Sequence, residues 1–520
     1  MPDAALFSLS DKTGAAEVAK ALAERGTAIY ATGGTRAFLA RHGIEARDVG
    51  DLTGFPALFG GRVKTLHPKV FGAILYDRDK ADHCAEARHY AIADLRTLVV
   101  NLYPFEATVA QNGTALAEAI EQIDIGGVSL LRAAAKNFAH VCILSHPSQY
   151  APFLQAVTQG GLDANARRRL AVAAFERTAQ YDAAIARYLE TGGELLPSEL
   201  PGALTLTMPL AQPLRYGENP QLRAAFYVQD RSALPEQLHG KELSYNNLLD
   251  LDATLRLLSR APIGAEFGSE SERFVRAAIV KHTVPCGVAQ RSAVEKAVRD
   301  ALEADPVSAF GGIIAVDAPI DAPTAQALSS HFLEIVAAPR FDAAALALLK
   351  KKKNLRIMRF ADGLPEKLQR ELLLRSALGG VLAEEEDRTF EAESWRVVSL
   401  RQPQPQEWHD LAFAWDVVRH VKSNGVVIAK GGATRGICAG QTNRVSAVSI
   451  AGARAGANAA GAACASDGFF PFPDGLEEAA KAGCAAIIAP EGSVRDSEVI
   501  AAADRLRVSL VFSTHRYFLH

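Results

Sequence analysis

The stretch ALFSLSDKTGAAEVAKALAERGTAIYATGGTRAFLARHG, residues 5–43, carries the pattern that predicts the fold. It divides into four segments that are apolar or helically patterned: a strand over residues 5–9, a helix over residues 14–25 closed by Gly26, a strand over residues 27–30, and a helix over residues 35–42 closed by Gly43. Strands that alternate with helices, each helix ending at glycine, are typical of a parallel sheet covered by helices. An α/β fold is therefore predicted for this part of the chain.

The same alternation continues to about residue 200. Further segments are a strand over residues 98–101, a helix over 128–135, a strand over 141–144 and a long helix over 164–189. Glycine and proline then cluster over residues 192–202, and such a cluster predicts a boundary between domains. We therefore assign residues 1–197 to a first domain and residues 203–520 to a second region.

The second region is also predicted to be α/β. Strand-like apolar runs lie next to helical patterns at residues 277–280, 312–316, 426–429, 485–489 and 508–512. The region is longer than one typical domain, and the proline-rich segment at residues 402–405 lies near its middle. Two similar subdomains are therefore expected, although the sequence contains no close repeat.

Composition narrows the class of protein. With 49% hydrophobic and 22% charged residues in 520, the chain is expected to fold throughout, into two to four domains. A net charge of -3 argues against wrapping nucleic acid. The six cysteines form no CxxC pair, which favours reduced thiols in a cytoplasm over a zinc ribbon or a disulfide framework. No leader or membrane span is recognisable, so a cytoplasmic protein without membrane partners is expected.

Two turns in the first domain could bind a phosphate. Each follows a predicted strand and precedes a predicted helix, where backbone amides and the helix dipole favour an anion. The residues concerned are Ser10, Lys12, Thr13 and Gly14 in the first turn, and Thr32, Gly33, Gly34 and Thr35 in the second. Each turn alone is more often a helix cap. Two of them at one edge of a sheet favour a shared phosphate pocket.

Other polar clusters in this domain combine cations, hydroxyls and a carboxylate. They contain Arg62, Lys64 and Thr65, then Asn101 and Tyr103, then Asp124, Gly126 and Gly127, and finally Lys136 and Asn137. Each has an alternative interpretation: a surface charge cluster for the first, a core aromatic for Tyr103, and helix caps for the last two.

In the second region, Lys281 and His282 follow a predicted strand directly. An ammonium beside an imidazole suits proton transfer to or from an amine. A lone histidine is more often structural, and the pattern lacks the second cysteine and the His-x-Glu of a zinc deaminase. Metal-activated water is therefore disfavoured. The loop at residues 466–474 contains three phenylalanines and could line a pocket for a flat ring, or be buried in a core or an interface.

The order of these motifs is more specific than any one of them. In chain order they are SDKTG at 10–14, TGGT at 32–35, GRVKTLHP at 61–68, NLYPF at 101–105, DIGG at 124–127, RAAAKN at 132–137, RYGENP at 215–220, KHTVPCG at 281–287, AFGG at 309–312, VKSN at 421–424 and FFPF at 469–472. Together they resemble the bifunctional phosphoribosylaminoimidazolecarboxamide (AICAR) formyltransferase / IMP cyclohydrolase family of purine biosynthesis, over essentially the full chain.

The resemblance implies a methylglyoxal-synthase-like first domain, followed by cytidine-deaminase-like α/β subdomains that lack zinc. It implies transfer of a formyl group from 10-formyltetrahydrofolate to the 5-amino group of AICAR, and then closure of formyl-AICAR to IMP with loss of water. It also implies a homodimer whose transferase sites lie between subunits. No catalytic metal is expected.

The resemblance also implies roles for residues that match the family's motifs. Lys281 and His282 would catalyse formyl transfer, and Lys64, Tyr103, Asp124 and Lys136 would catalyse ring closure. Arg215 and Arg516 would hold the nucleotide phosphate. Other positions would bind nucleotide or folate: Tyr216, Asn247, Gly311, Gly312, Asn424, Phe469, Asp474 and His520.

Four positions depart from the common family pattern: Gln221, Leu222, Val284 and Cys438. They put folate affinity or loop shape in question more than activity. Two rival hypotheses stay open at this point. The first domain could be a regulatory module beside a working transferase, or both sites could be inactive in a nucleotide-sensing scaffold.

Overall fold

In the computed structural model, the described residues are 3–56, 58–111, 113–191, 200, 203–228, 231–259, 274–368, 372–386 and 392–520. The chain forms two compact units, Met1–Thr207 and Met208–His520. The domain boundary predicted between residues 197 and 203 stays a prediction, because residues 192–199, 201 and 202 lie outside the described ones. Every helix within the described ranges is too short or too polar to cross a lipid bilayer.

The first unit alternates strands and helices, as its sequence predicts. The elements are β1 (Asp3–Ser8), α1 (Ala15–Ala23), β2 (Ala28–Ala31), α2 (Gly33–Arg41), β3 (Arg47–Asp48), α3 (Val49–Thr53), α4 (Pro68–Leu75), α5 (Ala81–His89), β4 (Asp94–Val100), α6 (Phe105–Val109), α7 (Leu116–Glu121), α8 (Gly126–Lys136), β5 (Cys142–Leu144), α9 (Tyr150–Thr158) and α10 (Ala164–Thr191).

Its five strands form one parallel sheet in the order β3-β2-β1-β4-β5. Alternate residues of each strand face opposite sides. Leu6 and Leu98 belong to a core with α4, α8 and α10, whereas Phe7 and Val99 belong to a second core with α1, α2 and α9. Both faces are therefore covered, which explains the apolar strands. All carboxyl ends of the strands lie at one edge, where ligands of such sheets bind.

The second unit begins with a hairpin and then contains two copies of one arrangement of strands and helices. The elements are β6 (Leu210–Leu214), β7 (Ala224–Tyr227), β8 (Glu236–His239), α11 (Tyr245–Leu258), β9 (Val275–Lys281), β10 (Val284–Arg291), α12 (Val294–Ala304), α13 (Pro306–Ala309), β11 (Ile313–Val316), α14 (Ala322–Ser329), β12 (Ile335–Ala338), α15 (Ala343–Leu349), β13 (Arg356–Arg359), α16 (Leu364–Leu368), β14 (Leu372–Ala377), β15 (Gly380–Glu385), β16 (Arg396–Val397), α17 (Pro405–Val418), β17 (Val426–Ala429), β18 (Thr434–Cys438), α18 (Arg444–Ala455), β19 (Ala463–Ser466), α19 (Asp474–Ala482), β20 (Ala486–Pro490), α20 (Asp496–Leu506) and β21 (Ser509–Ser513).

We name β8 to β13 repeat 1 and β16 to β21 repeat 2, each with its helices. Their six-stranded sheets have the same order, β10-β9-β11-β12-β13-β8 and β18-β17-β19-β20-β21-β16. In each sheet an antiparallel hairpin is followed by three strands that are parallel to one another. The predicted α/β class is confirmed in both units.

The two repeats meet at the edge strands β10 and β18. Ala289 and Ala433 form an antiparallel bridge, and the Val288 amide donates a hydrogen bond to Thr434 Oγ1 at 3.0 Å. One face of each sheet packs on α11 and α17 in a single core that contains, for example, Val280 and Val427. The opposite faces pack on their own helices in separate cores.

Candidate active sites

Asn101 joins the first predicted phosphate turn to the end of β4. The amides of Ser10 and Asp11 both donate to Asn101 Oδ1, at 2.7 and 3.0 Å, and Asn101 Nδ2 donates to the Asp11 carbonyl at 2.6 Å. Lys12 Nζ donates to the Ser10 carbonyl at 3.0 Å. The turn is therefore held rigidly at the carboxyl edge of the sheet, directly before α1.

Thr35 attaches the second turn to the same edge of the sheet. The Leu9 amide donates to Thr35 Oγ1 at 3.0 Å, and this hydroxyl donates back to the Leu9 carbonyl at 3.3 Å. A Cβ atom added to Gly33 or Gly34 would meet nothing within 4 Å, so the space before α2 is open. The N-termini of α1 and α2 thus lie at one edge, as predicted, and both favour an anion there.

A second cluster forms around Asp124. Its Oδ1 accepts the Gly127 amide at 2.7 Å, and the amides of Tyr103 and Gly126 also hydrogen-bond to the carboxylate, which interacts with the charge of Lys64. Thr65 is buried, and its Oγ1 lies 2.7 Å from where a Cβ atom of Gly126 would be. The structure therefore brings Lys64, Thr65, Tyr103 and Asp124 together, and the loop after β4 connects them to Asn101.

The environment of Asp124 suits proton transfer. Burial raises the pKa of its carboxyl above the usual value, although the three amides and the Lys64 ammonium act in the opposite direction. Tyr181 supports the loop, because its hydroxyl accepts the Asp124 amide at 2.9 Å and donates to the Gln122 carbonyl at 2.7 Å. A carboxyl that takes up a proton more readily than usual, within electrostatic reach of an ammonium, can act as an acid or a base.

Lys136 lies apart from this cluster within unit 1. It ends α8, about 15 Å along the helix axis from Gly126 at 1.5 Å per residue. Its side chain lines an open groove of about 620 Å³ together with Phe71, Leu75, Arg132, Ala133, Ala135, Phe138, Arg168, Ala171, Val172 and Phe175. Asn137 Nδ2 donates to the carbonyls of Ile74 and Tyr76.

Arg62, another residue predicted for this domain, is exposed and pairs with Glu121.

In the second unit, Lys281 ends β9, and His282 and Thr283 form the turn between β9 and β10. Lys281 Nζ donates to the Phe310 carbonyl at 2.6 Å, which brings the Gly311–Gly312 loop beside it. His282 and Thr283 have φ values of 57° and 60°, in the left-handed region that non-glycine residues rarely adopt. Such strain is concentrated at functional sites.

Helix α11 contacts this turn. Asp250 accepts the amide of His282 at 3.2 Å and that of Thr283 at 2.6 Å. One turn earlier on the same helix, Asn247 is nearly buried and forms a capping box with Ser244. Asn247 thus lies on the helix that supports the lysine–histidine pair.

The segment at residues 215–220 is attached to the start of α11. Asn246 Nδ2 donates to the Glu218 carbonyl at 3.3 Å. Arg215 is exposed, with its guanidinium carbon 5.3 Å from the centre of the Tyr216 ring. Leu222, one of the four departures, packs against this segment: the Gly217 amide donates to its carbonyl at 2.7 Å, and its Cβ lies 3.1 Å from where a Cβ atom of Gly217 would be.

Asn424 is attached to the loop that follows β18. Its amide and its Nδ2 both donate to the Gln441 carbonyl, at 3.0 and 2.7 Å. Because β10 and β18 run antiparallel, the start of β10 at Val284 and the end of β18 at Cys438 lie at the same end of the strand pair. Asn424 is therefore at the same end as the His282 turn.

The C-terminal segment, residues 514–520, packs against the loop at residues 466–474 that contains three phenylalanines. The fully buried Asp467 pairs with Arg444, accepts a hydrogen bond from Ser423, and accepts the Tyr517 amide on its carbonyl. Phe518 lies 2.7 Å from where a Cβ atom of Gly468 would be, with Arg516 over its ring at 4.8 Å. Phe469 is 38% exposed, and the His520 ring is 6.2 Å from that of Phe518. Asp474 is exposed at the start of α19.

Sequence reasoning missed two supporting residues, Asp250 and Tyr181. Asp250 stands among leucines in a helix, and Tyr181 lies 57 positions after Asp124. Neither has a local motif. Only the packing of α11 and α10 against distant loops identifies them.

Comparison with known proteins decides the family. A family model described as AICARFT/IMPCHase bienzyme matches residues 134–454, and one described as an MGS-like domain matches residues 14–129. The chain belongs to the AICARFT/IMPCHase family. Three relatives, each named bifunctional purine biosynthesis protein PurH, come from Desulfitobacterium hafniense (48% identical, 99% of both chains), Synechococcus elongatus (46%, 100% of both) and Bacillus cereus (44%, 100% of both).

Membership of this bienzyme family confirms the predicted function. The chain is an enzyme of purine biosynthesis with AICAR formyltransferase and IMP cyclohydrolase activities, and formyl transfer requires a folate co-substrate. Both rival hypotheses are thereby disfavoured, because each removes at least one activity. The MGS-like match covers most of the parallel sheet of unit 1.

Proposed function

We propose that 10-formyltetrahydrofolate donates its formyl group to AICAR at the turn between β9 and β10. The observation that carries this assignment is the left-handed backbone of His282 and Thr283, directly after Lys281. A strained turn of this kind persists when the surrounding structure holds it, and an imidazole beside an ammonium is chemically suited to the reaction.

In the transfer step, the 5-amino nitrogen of AICAR attacks the formyl carbon, and a tetrahedral intermediate forms. The amine loses a proton to His282, while the Lys281 ammonium stabilises the negative charge that develops on the formyl oxygen. The bond between the formyl carbon and the folate nitrogen then breaks, and that nitrogen takes up the proton that His282 accepted from the amine. The products are formyl-AICAR and tetrahydrofolate.

Residues around this turn hold the two substrates. Arg215 and Arg516 bind the nucleotide phosphate, since guanidinium groups match phosphate oxygens in a bidentate manner. The remaining contacts to nucleotide or folate come from Tyr216, Asn247, Gly311, Gly312, Asn424, Phe469, Asp474 and His520. The exposed ring of Phe469 offers a flat surface for a pterin or purine.

Ring closure takes place at the Asp124 cluster in unit 1. The turns at residues 10–14 and 32–35, with Arg62, Asn101 and Thr65, hold the phosphate of formyl-AICAR. Its carboxamide nitrogen attacks the formyl carbon, and water leaves to give IMP. Lys64, Tyr103 and Asp124 supply the proton transfers, while Gly126 and Gly127 hold the Asp124 carboxylate. The roles of Lys136 and Asn137 in ring closure are supported by the sequence motif alone, because α8 holds both residues far from Gly126.

Neither reaction uses a metal ion in this proposal. Both sets of residues are rich in lysine, amide and hydroxyl donors, which suit anions better than cations. Within the described ranges, three potential metal ligands do come together at Asp77, Asp79 and His140, outside both sites. The six thiols form no disulfide, in keeping with a cytoplasmic enzyme.

The enzyme acts as a homodimer with transferase sites at the interface. Next to Lys281, the rings of Phe310 and Phe332 pack 5.0 Å apart and are 63% and 51% exposed. Val307 nearby is also strongly exposed. A contiguous apolar surface at this point favours a protein partner over solvent, and a second copy of the chain would cover it beside the transferase site.

Two substitutions separate the two activities. We expect His282→Ala to lower formyl transfer by about 10²–10⁴-fold while ring closure of added formyl-AICAR stays intact. Lys64→Ala should do the reverse. Both are measured spectroscopically on the full-length enzyme, with AICAR plus 10-formyltetrahydrofolate in one assay and formyl-AICAR in the other.

A second variant distinguishes loss of the imidazole from loss of the turn. Asparagine tolerates the left-handed region well, so His282→Asn keeps the backbone and should show the same loss as His282→Ala. Near-normal transfer by either variant would show that another group is the base.

A further inference from the structure

The turn at His282 has a counterpart in repeat 2. There the hairpin of β17 and β18 turns at Gly431 and Gly432, with φ values of 61° and 65°. The preceding Lys430 donates from Nζ to the Ala460 carbonyl at 2.6 Å, just as Lys281 does to the Phe310 carbonyl. Both repeats therefore place a lysine and two left-handed residues at the same point of the fold.

The two turns differ in how unfavourable the left-handed backbone is for the residues that adopt it. Two consecutive left-handed residues form the turn that hairpins usually build from glycine or asparagine. Repeat 2 uses two glycines, whereas repeat 1 uses a histidine and a β-branched threonine, for which the left-handed region is unfavourable. Repeat 1 thus needs an interaction that holds His282 and Thr283 in place.

An aspartate supplies such an interaction in both repeats. Asp250 on α11 accepts the amides of His282 and Thr283. Asp410 on α17 accepts the Gly432 amide at 2.9 Å, and the Gly431 amide also hydrogen-bonds to it. Helices α11 and α17 occupy the same place in the two repeats. The carboxylate can accept both amides, whereas an asparagine side chain offers only one oxygen.

We propose that Asp250 is a positioning residue for formyl transfer, which keeps the strained His282–Thr283 turn in its left-handed conformation through the two backbone amides. The proposal rests on the proposed role of His282. Asp250 acts through the backbone of His282 and not on the substrate. Asp410 does the same for a turn that has no imidazole, so repeat 2 provides a built-in control.

The test is Asp250→Asn in the full-length enzyme. We expect kcat of formyl transfer to fall by about 10–100-fold, as displacement of a catalytic group commonly causes, with KM for AICAR and folate and the ring-closure activity unchanged. Asp410→Asn makes the same chemical change at the glycine turn and should leave kcat of transfer unaffected.

Rescue separates positioning from a general loss of stability. In Asp250→Asn/Thr283→Gly, glycine adopts the left-handed backbone without help, so most of the lost kcat should return. A double variant as slow as Asp250→Asn would overturn the proposal. So would a normal kcat in Asp250→Asn while His282→Ala is inactive. An active His282→Ala would instead refute the role of His282 itself.

Thr283→Gly alone covers the case in which Asp250→Asn does not fold. Because it removes the strained threonine, it should raise the thermal midpoint of unfolding. A lower midpoint would show that the turn is not strained, and the role assigned to Asp250 would be lost.

Discussion

Three side chains hold the loops of the candidate sites in place, because their oxygen atoms accept hydrogen bonds from backbone amides. Asn101 accepts two amides of the turn at residues 10–14, Asp124 accepts amides of the loops around it, and Asp250 accepts both amides of the His282 turn. In each case a side chain from one element restrains the backbone of another. At the scale of single residues, the sites therefore depend on backbone amides as much as on the catalytic side chains.

The environment of Asp124 can be tested through the pH dependence of the free energy of unfolding. Burial raises the pKa of its carboxyl in the folded state above the ordinary 3.8, so the folded state binds the proton more tightly than the unfolded state does. The stabilisation from the protonated form is present below the unfolded pKa and is lost as pH rises through the folded pKa. At neutral pH the ionised carboxylate therefore lowers the free energy of unfolding.

We expect Asp124→Asn to lower ring closure by about 10²–10⁴-fold, because the group that exchanges protons is gone. The free energy of unfolding near neutral pH should be equal to or higher than in the wild type, and the difference should shrink as pH falls. Urea unfolding across a pH series measures this. A variant that is less stable at neutral than at acid pH, relative to the wild type, would contradict it.

At the scale of elements, two glycines let helices cross strands at close range. A Cβ atom added to Gly287 on β10 would lie 2.0 Å from the Ala301 carbonyl of α12, and one added to Gly436 on β18 would lie 2.0 Å from the Ala451 carbonyl of α18. The same contact thus recurs in both repeats, although the surrounding sequences differ.

Gly287→Ala should lower the free energy of unfolding by about 1–3 kcal/mol, because a backbone carbonyl must move to admit the methyl group. Gly380→Ala on β15 is the matched control. Its nearest atom would be 3.6 Å away, so we expect a change within about 0.5 kcal/mol. Urea unfolding of both variants measures the difference, and equal effects would show that α12 can shift.

The elements named from the sequence were predicted to within a few residues, but their mutual contacts were not. The apolar run at residues 277–280 predicted a strand that spans Val275–Lys281. The positions of the turns at residues 10–14 and 32–35 could be predicted because each follows a strand directly, whereas their binding of a phosphate stays a prediction. Pairing of Asp250 with the His282 turn, about thirty positions away in sequence, has no local signal. Lys136 shows the converse: its motif is clear, yet the length of α8 separates it from Asp124.

At the scale of the whole molecule, the two proposed sites belong to separate units, each with its own core. The exposed pair of Phe310 and Phe332 lies beside Lys281, the residue to which we assign a role in formyl transfer. If a second copy of the chain covers this pair, dissociation of the dimer should affect the two activities differently.

We expect dilution of the enzyme to lower formyl transfer per chain and to leave ring closure per chain unchanged. Phe332→Glu, which places a charge in the apolar surface, should move this loss to higher concentration and halve the mass seen by sedimentation. Val494→Glu is the control, because Val494 is fully exposed elsewhere in unit 2. Transfer that is independent of concentration in a monomeric Phe332→Glu protein would exclude the interface.

The core that α11 and α17 share has a consequence for how this enzyme can be divided. Val280 and Leu251 of repeat 1 lie in the same apolar interior as Val427 and Leu411 of repeat 2. A protease cut in the hairpin of β14 and β15 would leave each product with half of that interior facing water. Although repeat 1 and repeat 2 look like a duplicated module, neither half should persist as an autonomous fragment.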